Sequence, residues 1–335
     1  MSSSIFDLEE QRLEREIQRR QPKLVFIQLP EGLKISGWKL VKLVEESGAL
    51  AVVSANPCYG SCDLALKEAE ILGADLILHF GHSEMLIQNR IPTIYIEARS
   101  NNHVSNVVEK AIPLLEAWEK IGLVTTIQHI HRLEEAQRVL VKAGKSVVIG
   151  NAGRLKYAGQ VTGCDYSNAK TVLHEVDSFL FVGGGRFHPL GVALATSKPT
   201  FVADPFQKRT YKISNEVDKI RKKRYAAIFH FRKAERIGII IGLKPGQQSV
   251  NQAIELRRIL KKSGRQTMLL ALTEITPEAL MQFPRIDAFI NTACPRISLD
   301  DTERFQKPLL THQETLVALD TMDWDELCRK GWFGN

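Results

Sequence analysis

Leu40-Val-Lys-Leu-Val-Glu-Glu-Ser-Gly48 is in effect written three times, returning as Ala136-Gln-Arg-Val-Leu-Val-Lys-Ala-Gly144 and as Leu256-Arg-Arg-Ile-Leu-Lys-Lys-Ser-Gly264. Each copy spaces its apolar residues at helical period, and its final glycine supplies the left-handed residue that closes a helix. Apolar runs of strand length precede the copies: Leu24-Val-Phe-Ile-Gln-Leu29, Gly122-Leu-Val-Thr-Thr-Ile127 and Ile237-Gly-Ile-Ile-Ile-Gly242. β-rich runs follow at 49–54, 146–150 and 267–272. A third strand opens each time after an aspartate (Asp75, Asp177, Asp287), and a fourth after a proline (Pro92, Pro199, Pro308). Nearly all-apolar strands alternating with helices predict small parallel sheets covered on both faces. The expected fold is α/β: three similar parallel-sheet domains from an internal triplication, packed around a shared central site. The domains are read as an N-terminal helix over 1–21, then 22–115, 116–225 and 226–335. In the first helix Ser4 is the expected cap, with Ile5, Leu8, Leu13 and Ile17 on or near one face.

Each repeat carries one cysteine beyond the C-terminal end of a strand, where ligands gather in open α/β sheets. Cys58 stands in Asn-Pro-Cys-Tyr-Gly-Ser-Cys-Asp, Cys164 in Thr-Gly-Cys-Asp-Tyr and Cys294 in Asn-Thr-Ala-Cys-Pro-Arg. Cys58 and Cys164 follow the second strand of their repeats, whereas Cys294 follows the third. Three soft thiolates converging on one axis are the donor set of a metal cluster with one open position. A closed zinc site needs a fourth ligand from a histidine or Cys62, so a four-iron cubane held by three thiolates fits better. Cys58 and Cys62 form a C-x-x-x-C spacing at an expected helix N-terminus, a position that lowers a thiol pKa. Cys62 itself reads as a small buried side chain and Cys328 as structural.

The chain of 335 residues, 44% hydrophobic and 25% charged, has the composition of a multidomain globular protein. Five cysteines in this length make no disulfide framework. The apolar runs are too short to span a bilayer, and residues 1–21 are charge-dense, unlike a signal peptide, so the expectation is a cytoplasmic protein without a membrane partner. The net charge of +7 is modest. Arg221-Lys-Lys-Arg224, within a long helix expected over 213–232, reads as the solvated face of a connecting element rather than a nucleic-acid patch. Gly183-Gly-Gly-Arg-Phe-His-Pro189 lacks the dinucleotide spacing, but its glycines allow backbone N–H groups to approach a carboxylate or a cluster. His79 and His82 read as pocket lining or hydrogen-bonding groups rather than metal ligands.

Pro57-Cys-Tyr-Gly-Ser-Cys-Asp63, Gly163-Cys-Asp-Tyr166, Phe181-Val-Gly-Gly-Gly-Arg-Phe-His-Pro189 and Asn291-Thr-Ala-Cys-Pro-Arg296 together resemble the archaeal diphthamide-biosynthesis enzymes, the 2-(3-amino-3-carboxypropyl)histidine synthases. The resemblance covers about 24–314. It implies a homodimer of three-domain subunits, each with a 4Fe-4S cluster on Cys58, Cys164 and Cys294. It also implies S-adenosylmethionine as co-substrate, an external electron donor, and a histidine of translation elongation factor 2 as acceptor, with no direct nucleic-acid partner. Strand-end position and donor chemistry place the amino-acid moiety of the co-substrate near Gly184, Gly185, Arg186, Lys244 and Gln247. Two other readings are a quinolinate-synthase-like dehydratase and a non-enzymatic repeat-built binding protein. The glycine-rich and paired-cysteine stretches speak against the first.

Overall fold

The computed structural model describes residues 5–85 and 90–333, so the expected cap Ser4 lies outside the described residues. The chain forms two compact units, Met1–His103 with Ile127–Arg132, and Val104–Thr126 with Leu133–Asn335.

In the first unit β1 (Phe6–Asp7) pairs antiparallel with β6 (Arg99–Ser100). Between them β2 (Leu24–Gln28), β3 (Leu50–Val53), β4 (Leu76–Phe80) and β5 (Thr93–Ile96) form a parallel sheet ordered β3-β2-β4-β5. The two-residue period of a strand divides its apolar side chains between two faces. Val25, Ile27, Leu76, Leu78 and Phe80 pack on one side with Leu40 and Val44 of the helix Gly37–Glu46. Phe26 and Ile77 pack on the other with Ala69 of the helix Leu66–Leu72. The N-terminal helix is shorter than expected, Glu10–Arg20, because the residues before it turn: Asp7 accepts a hydrogen bond from the Glu9 N–H at 2.8 Å. Leu8, Leu13 and Ile17 are buried in the first of these cores, while Ile5 is exposed.

The second unit holds two sheets. β7 (Lys120–Thr125), β8 (Ser146–Val148), β9 (Ser178–Val182) and β10 (Thr200–Asp204) are ordered β8-β7-β9-β10, and β11 (Arg209–Lys212) adds an antiparallel edge strand the sequence did not announce. β12 (Arg236–Gly242), β13 (Gln266–Leu272), β14 (Ala288–Asn291) and β15 (Leu309–Thr311) are ordered β13-β12-β14-β15. One strand order, second-first-third-fourth, therefore recurs in each of these three parallel sheets.

The recurrence extends to single residues. Gly48, Gly144 and Gly264 each follow their helix with φ of +90°, +78° and +81°, the left-handed stop that a side chain would strain. The aspartate before each third strand reaches back to the start of the first strand. Asp75 accepts from the Lys23 and Leu24 N–H groups, Asp177 from Lys120, and Asp287 from Glu235 and Arg236. These bonds hold Asp75 and Asp287 below the usual carboxylate range, with the backbone N–H groups leading at Asp75 and the Arg236 guanidinium at Asp287.

The helix Ser214–Phe231 joins the two sheets of the second unit. Its Val217, Ile228 and Phe231 share one continuous core with Phe179 and Val202 of one sheet and Ile237, Ile290 and Leu310 of the other. Arg224 on this helix corrects the reading of a solvated basic face, because it is fully buried. Its Nε and Nη2 each donate to Glu314 at 2.6 Å, and it also donates to the Ser298 and Leu309 carbonyls at 2.7 Å. Glu314 also accepts from Trp332 Nε1 at 2.7 Å, so both buried charges are multiply hydrogen-bonded.

Candidate metal centre

In the first unit Cys58 leaves β3 through Asn56-Pro57 and is 2% exposed. It does not sit at a helix N-terminus: a short 3₁₀ turn, Ser61–Asp63, intervenes, and the helix begins only at Leu66. Burial, followed by the Asp63 and Glu31 carboxylates, pushes the thiol up to about 12, the reverse of the lowering expected from sequence. Cys62 is half-buried rather than buried.

Two imidazoles share the Cys58 site. His79, the penultimate residue of β4, is fully buried, and the turn at Gly81, with φ of +83°, brings His82 back beside it. A side chain at Gly81 would meet Pro30 at 2.9 Å, which fixes that turn. Ligand atoms of Cys58, His79 and His82 all lie within 4.8 Å of one another. Desolvation holds both imidazoles neutral: His79 is pushed well below its usual range, further lowered by His82, and His82 down to about 4. Nothing in the sequence spacing ties residue 58 to residues 79 and 82; the parallel register of the sheet does.

In the second unit the structure brings Cys164 and Cys294 into one neighbourhood. Both are half-buried thiols, and both act electrostatically on the buried Tyr166 phenol, which burial pushes well up and the Arg296 guanidinium opposes. Tyr166 donates to the Gly163 carbonyl at 3.2 Å and fits only because Gly191 has no side chain, whose Cβ would fall 1.8 Å from the phenol oxygen. Phe187, at the start of the helix Phe187–Thr196, lies against Gly163 and carries the Arg296 guanidinium 3.7 Å above its ring centroid. Arg296 donates to the Phe187 carbonyl at 2.8 Å and pairs with Asp300 at 2.6 Å. Burial raises Asp300 to about 6 even against that guanidinium. Arg296, Asp300 and Phe187 had no role in the sequence reading, although the i, i+4 spacing of Arg296 and Asp300 was visible there.

The glycine loop 183–185 follows β9. Gly185 is left-handed and accepts from the Tyr211 hydroxyl at 3.2 Å, while a side chain at Gly184 would strike Phe206 at 2.8 Å. Arg186 faces Glu216 at 3.8 Å. Lys244 is buried against Glu274 at 2.7 Å. Gln247 closes a turn on the Lys244 carbonyl, and that turn crowds Gly242 together with Ala293, next to Cys294. Cys328 packs on the core of the second unit, in keeping with a structural role.

The donor chemistry suits a thiolate-held cluster: Cys58, Cys164 and Cys294 are soft sulfur donors that each stand beyond a strand end. No described helix is long and apolar enough to cross a membrane.

The chain is 36% identical to the 2-(3-amino-3-carboxypropyl)histidine synthase of Pyrococcus horikoshii over 93% of its own length and 91% of that protein. It is 30% identical to subunit 1 of the human synthase over 92% of this chain and 71% of the human one. The crystal structure of Dph2 from Pyrococcus horikoshii with a 4Fe-4S cluster matches with a TM-score of 0.89 at 34% identity, covering 98% of this chain and 95% of that one. A family model for diphthamide synthesis proteins matches residues 29–328, and with these relatives it leaves no room for the dehydratase or scaffold readings: the chain belongs to the diphthamide synthesis protein family.

Proposed function

We propose that this protein is a 2-(3-amino-3-carboxypropyl)histidine synthase, which moves the 3-amino-3-carboxypropyl group of S-adenosylmethionine to C2 of a histidine of translation elongation factor 2. The observation that carries the reading is 36% identity to a named synthase across nearly the whole chain. The fold likeness to a cluster-holding relative supports it. In this reading the repeated sheets reflect an internal triplication, with domains at 22–115, 116–225 and 226–335, and the protein acts as a cytoplasmic homodimer served by an external electron donor.

Cys58, Cys164 and Cys294 hold a 4Fe-4S cluster and leave one iron position open. The chemistry a bound cluster supplies is one-electron reduction of the sulfonium, which opens the Cγ–S bond and releases methylthioadenosine. The chain's own residues orient the co-substrate. Gly184 and Gly185 offer backbone N–H groups, that of Gly185 on leaving the Asp204 carboxylate 3.4 Å away, and Arg186, Lys244 and Gln247 receive the amino-acid moiety, with a methionine carboxylate replacing Glu274 on Lys244. Arg296, held over the Phe187 ring, supplies positive charge beside two of the thiolates.

The test is anaerobic incubation of the iron-reconstituted protein with S-adenosylmethionine, dithionite and its cognate elongation factor. Methylthioadenosine and a modified factor are expected. Mainly 5′-deoxyadenosine would overturn the assignment of the broken bond, and an unmodified factor would overturn the acceptor.

A further inference from the structure

Around Cys58 lies a second ligand set that the cluster reading does not use. Gln28, at the end of β2, is registered beside His79 on β4. Its amide is oriented without ambiguity: Nε2 donates to the Asp63 carbonyl at 2.7 Å, and Oε1 accepts from the Ala65 N–H at 3.1 Å. That same Oε1 lies 2.9 Å from His79 Nδ1. An amide oxygen only accepts, so Nδ1 carries the imidazole proton and the Nε2 lone pair faces inward. Nε2 points at His82 Nδ1, 3.0 Å away, with the Cys58 thiol completing the set inside 4.8 Å.

A tetrahedral ion with bonds of about 2.0–2.3 Å to nitrogen and sulfur needs its donors about 3.4–3.6 Å apart, a spread of a few tenths of an ångström from the nitrogen pair seen here. An imidazole whose far N–H is held by a fixed oxygen is the arrangement that orients metal-ligating histidines. Two imidazoles and a thiolate suit zinc or ferrous iron rather than a hard cation.

The geometry points to a mononuclear site in which Cys58, His79 and His82 bind one divalent ion of the zinc or ferrous class, with Gln28 positioning His79. A fourth position stays open. Cys58 cannot serve this ion and a cluster at once, so a bound divalent ion holds the chain in a cluster-free form; this competition, though not the site, rests on the cluster assignment above.

Cobalt(II) is the probe, added anaerobically to the full-length, chelator-treated protein. Wild type is expected to bind one equivalent, with tetrahedral ligand-field bands and a sulfur-to-cobalt charge-transfer band. The Cys164→Ser/Cys294→Ser double variant should give the same spectrum. His82→Asn and His79→Gln should bind at least about tenfold more weakly, and Gln28→Leu about 10–100-fold more weakly. Circular dichroism melts identify any variant that fails to fold, and the double variant reads the site without touching it. Absence of the charge-transfer band in wild type overturns the site. So does a spectrum that survives in folded histidine variants or vanishes in the double variant. Zinc added before reconstitution should slow growth of iron–sulfur absorbance in wild type and not in His82→Asn; equal rates overturn the competition. A wild type that binds cobalt as described but never forms a cluster would instead sink the cluster reading and leave the site standing.

Discussion

Cys58 and the pair Cys164 and Cys294 are offered for the same task but live in different surroundings. Cys58 is sealed among two neutral imidazoles, with Asp63 and Glu31 near enough to disfavour its thiolate. Cys164 and Cys294 are half-open and act on the same Tyr166 phenol as Arg296, which is fixed by Phe187 and Asp300. The first neighbourhood resists ionisation unless a metal displaces the proton, whereas the second brings its own positive charge.

The largest expected effect comes from removing a thiol. Cys58→Ala, Cys164→Ala and Cys294→Ala should each abolish stable iron–sulfur absorbance after reconstitution, and methylthioadenosine formation with it. Retention of a normal spectrum in any one of them would remove that residue from the comparison. Next, Arg224→Ala leaves Glu314 charged and buried, and should cost the second unit about 3–5 kcal/mol in urea unfolding. The Cys58 neighbourhood, in the other unit, should keep its cobalt spectrum below that transition. Arg296→Met keeps bulk beside Phe187 but removes the charge, so it should weaken cluster retention by about tenfold, read from the rate of bleaching by chelator. An unchanged rate would erase the asymmetry.

A smaller effect concerns acid. The folded-state pKa values of Asp75 and Asp287 are lowered, so their contribution is complete above the unfolded value of about 3.9 and is lost as pH falls toward the depressed native values. Asp75→Asn and Asp287→Asn should each lower stability at neutral pH, where the carboxylate contribution is fully present, and converge on wild type in acid, flattening the acid limb of a stability-versus-pH curve below about pH 4. Smallest of all, Cys328→Ala should alter stability by no more than about 1 kcal/mol and leave cluster absorbance intact.

Features that depend on local chemistry were legible in the sequence. Gly48, Gly144 and Gly264 mark helix ends because only the backbone at those positions decides. The strands at Leu24, Lys120 and Arg236 were legible because a doubly covered parallel strand is apolar throughout. Asp75, Asp177 and Asp287 were visible as strand openers, though their bond to the preceding first strand was not, since it joins residues some fifty positions apart.

The misreadings share a cause. Arg224 sits in a run of four cations, and only Glu314, ninety residues later, makes its burial tolerable. Cys58 precedes a helix in sequence, but the intervening 3₁₀ turn and two carboxylates set its environment. The hydrogen-bonding reading of His79 and His82 holds, but the partner that orients His79, Gln28, lies on the neighbouring strand and does not show in that segment. Tertiary register, invisible to a reading of one segment at a time, decided each case.

The long helix Ser214–Phe231 carries a consequence of its own. Because its apolar side chains belong to both sheets of the second unit, neither sheet can melt without exposing the core of the other. Cys164 and Cys294 are thereby mounted on a single cooperative block. Thermal fluctuation that frays one would have to dismantle the other, so the two sulfurs keep their mutual spacing for as long as the block is folded.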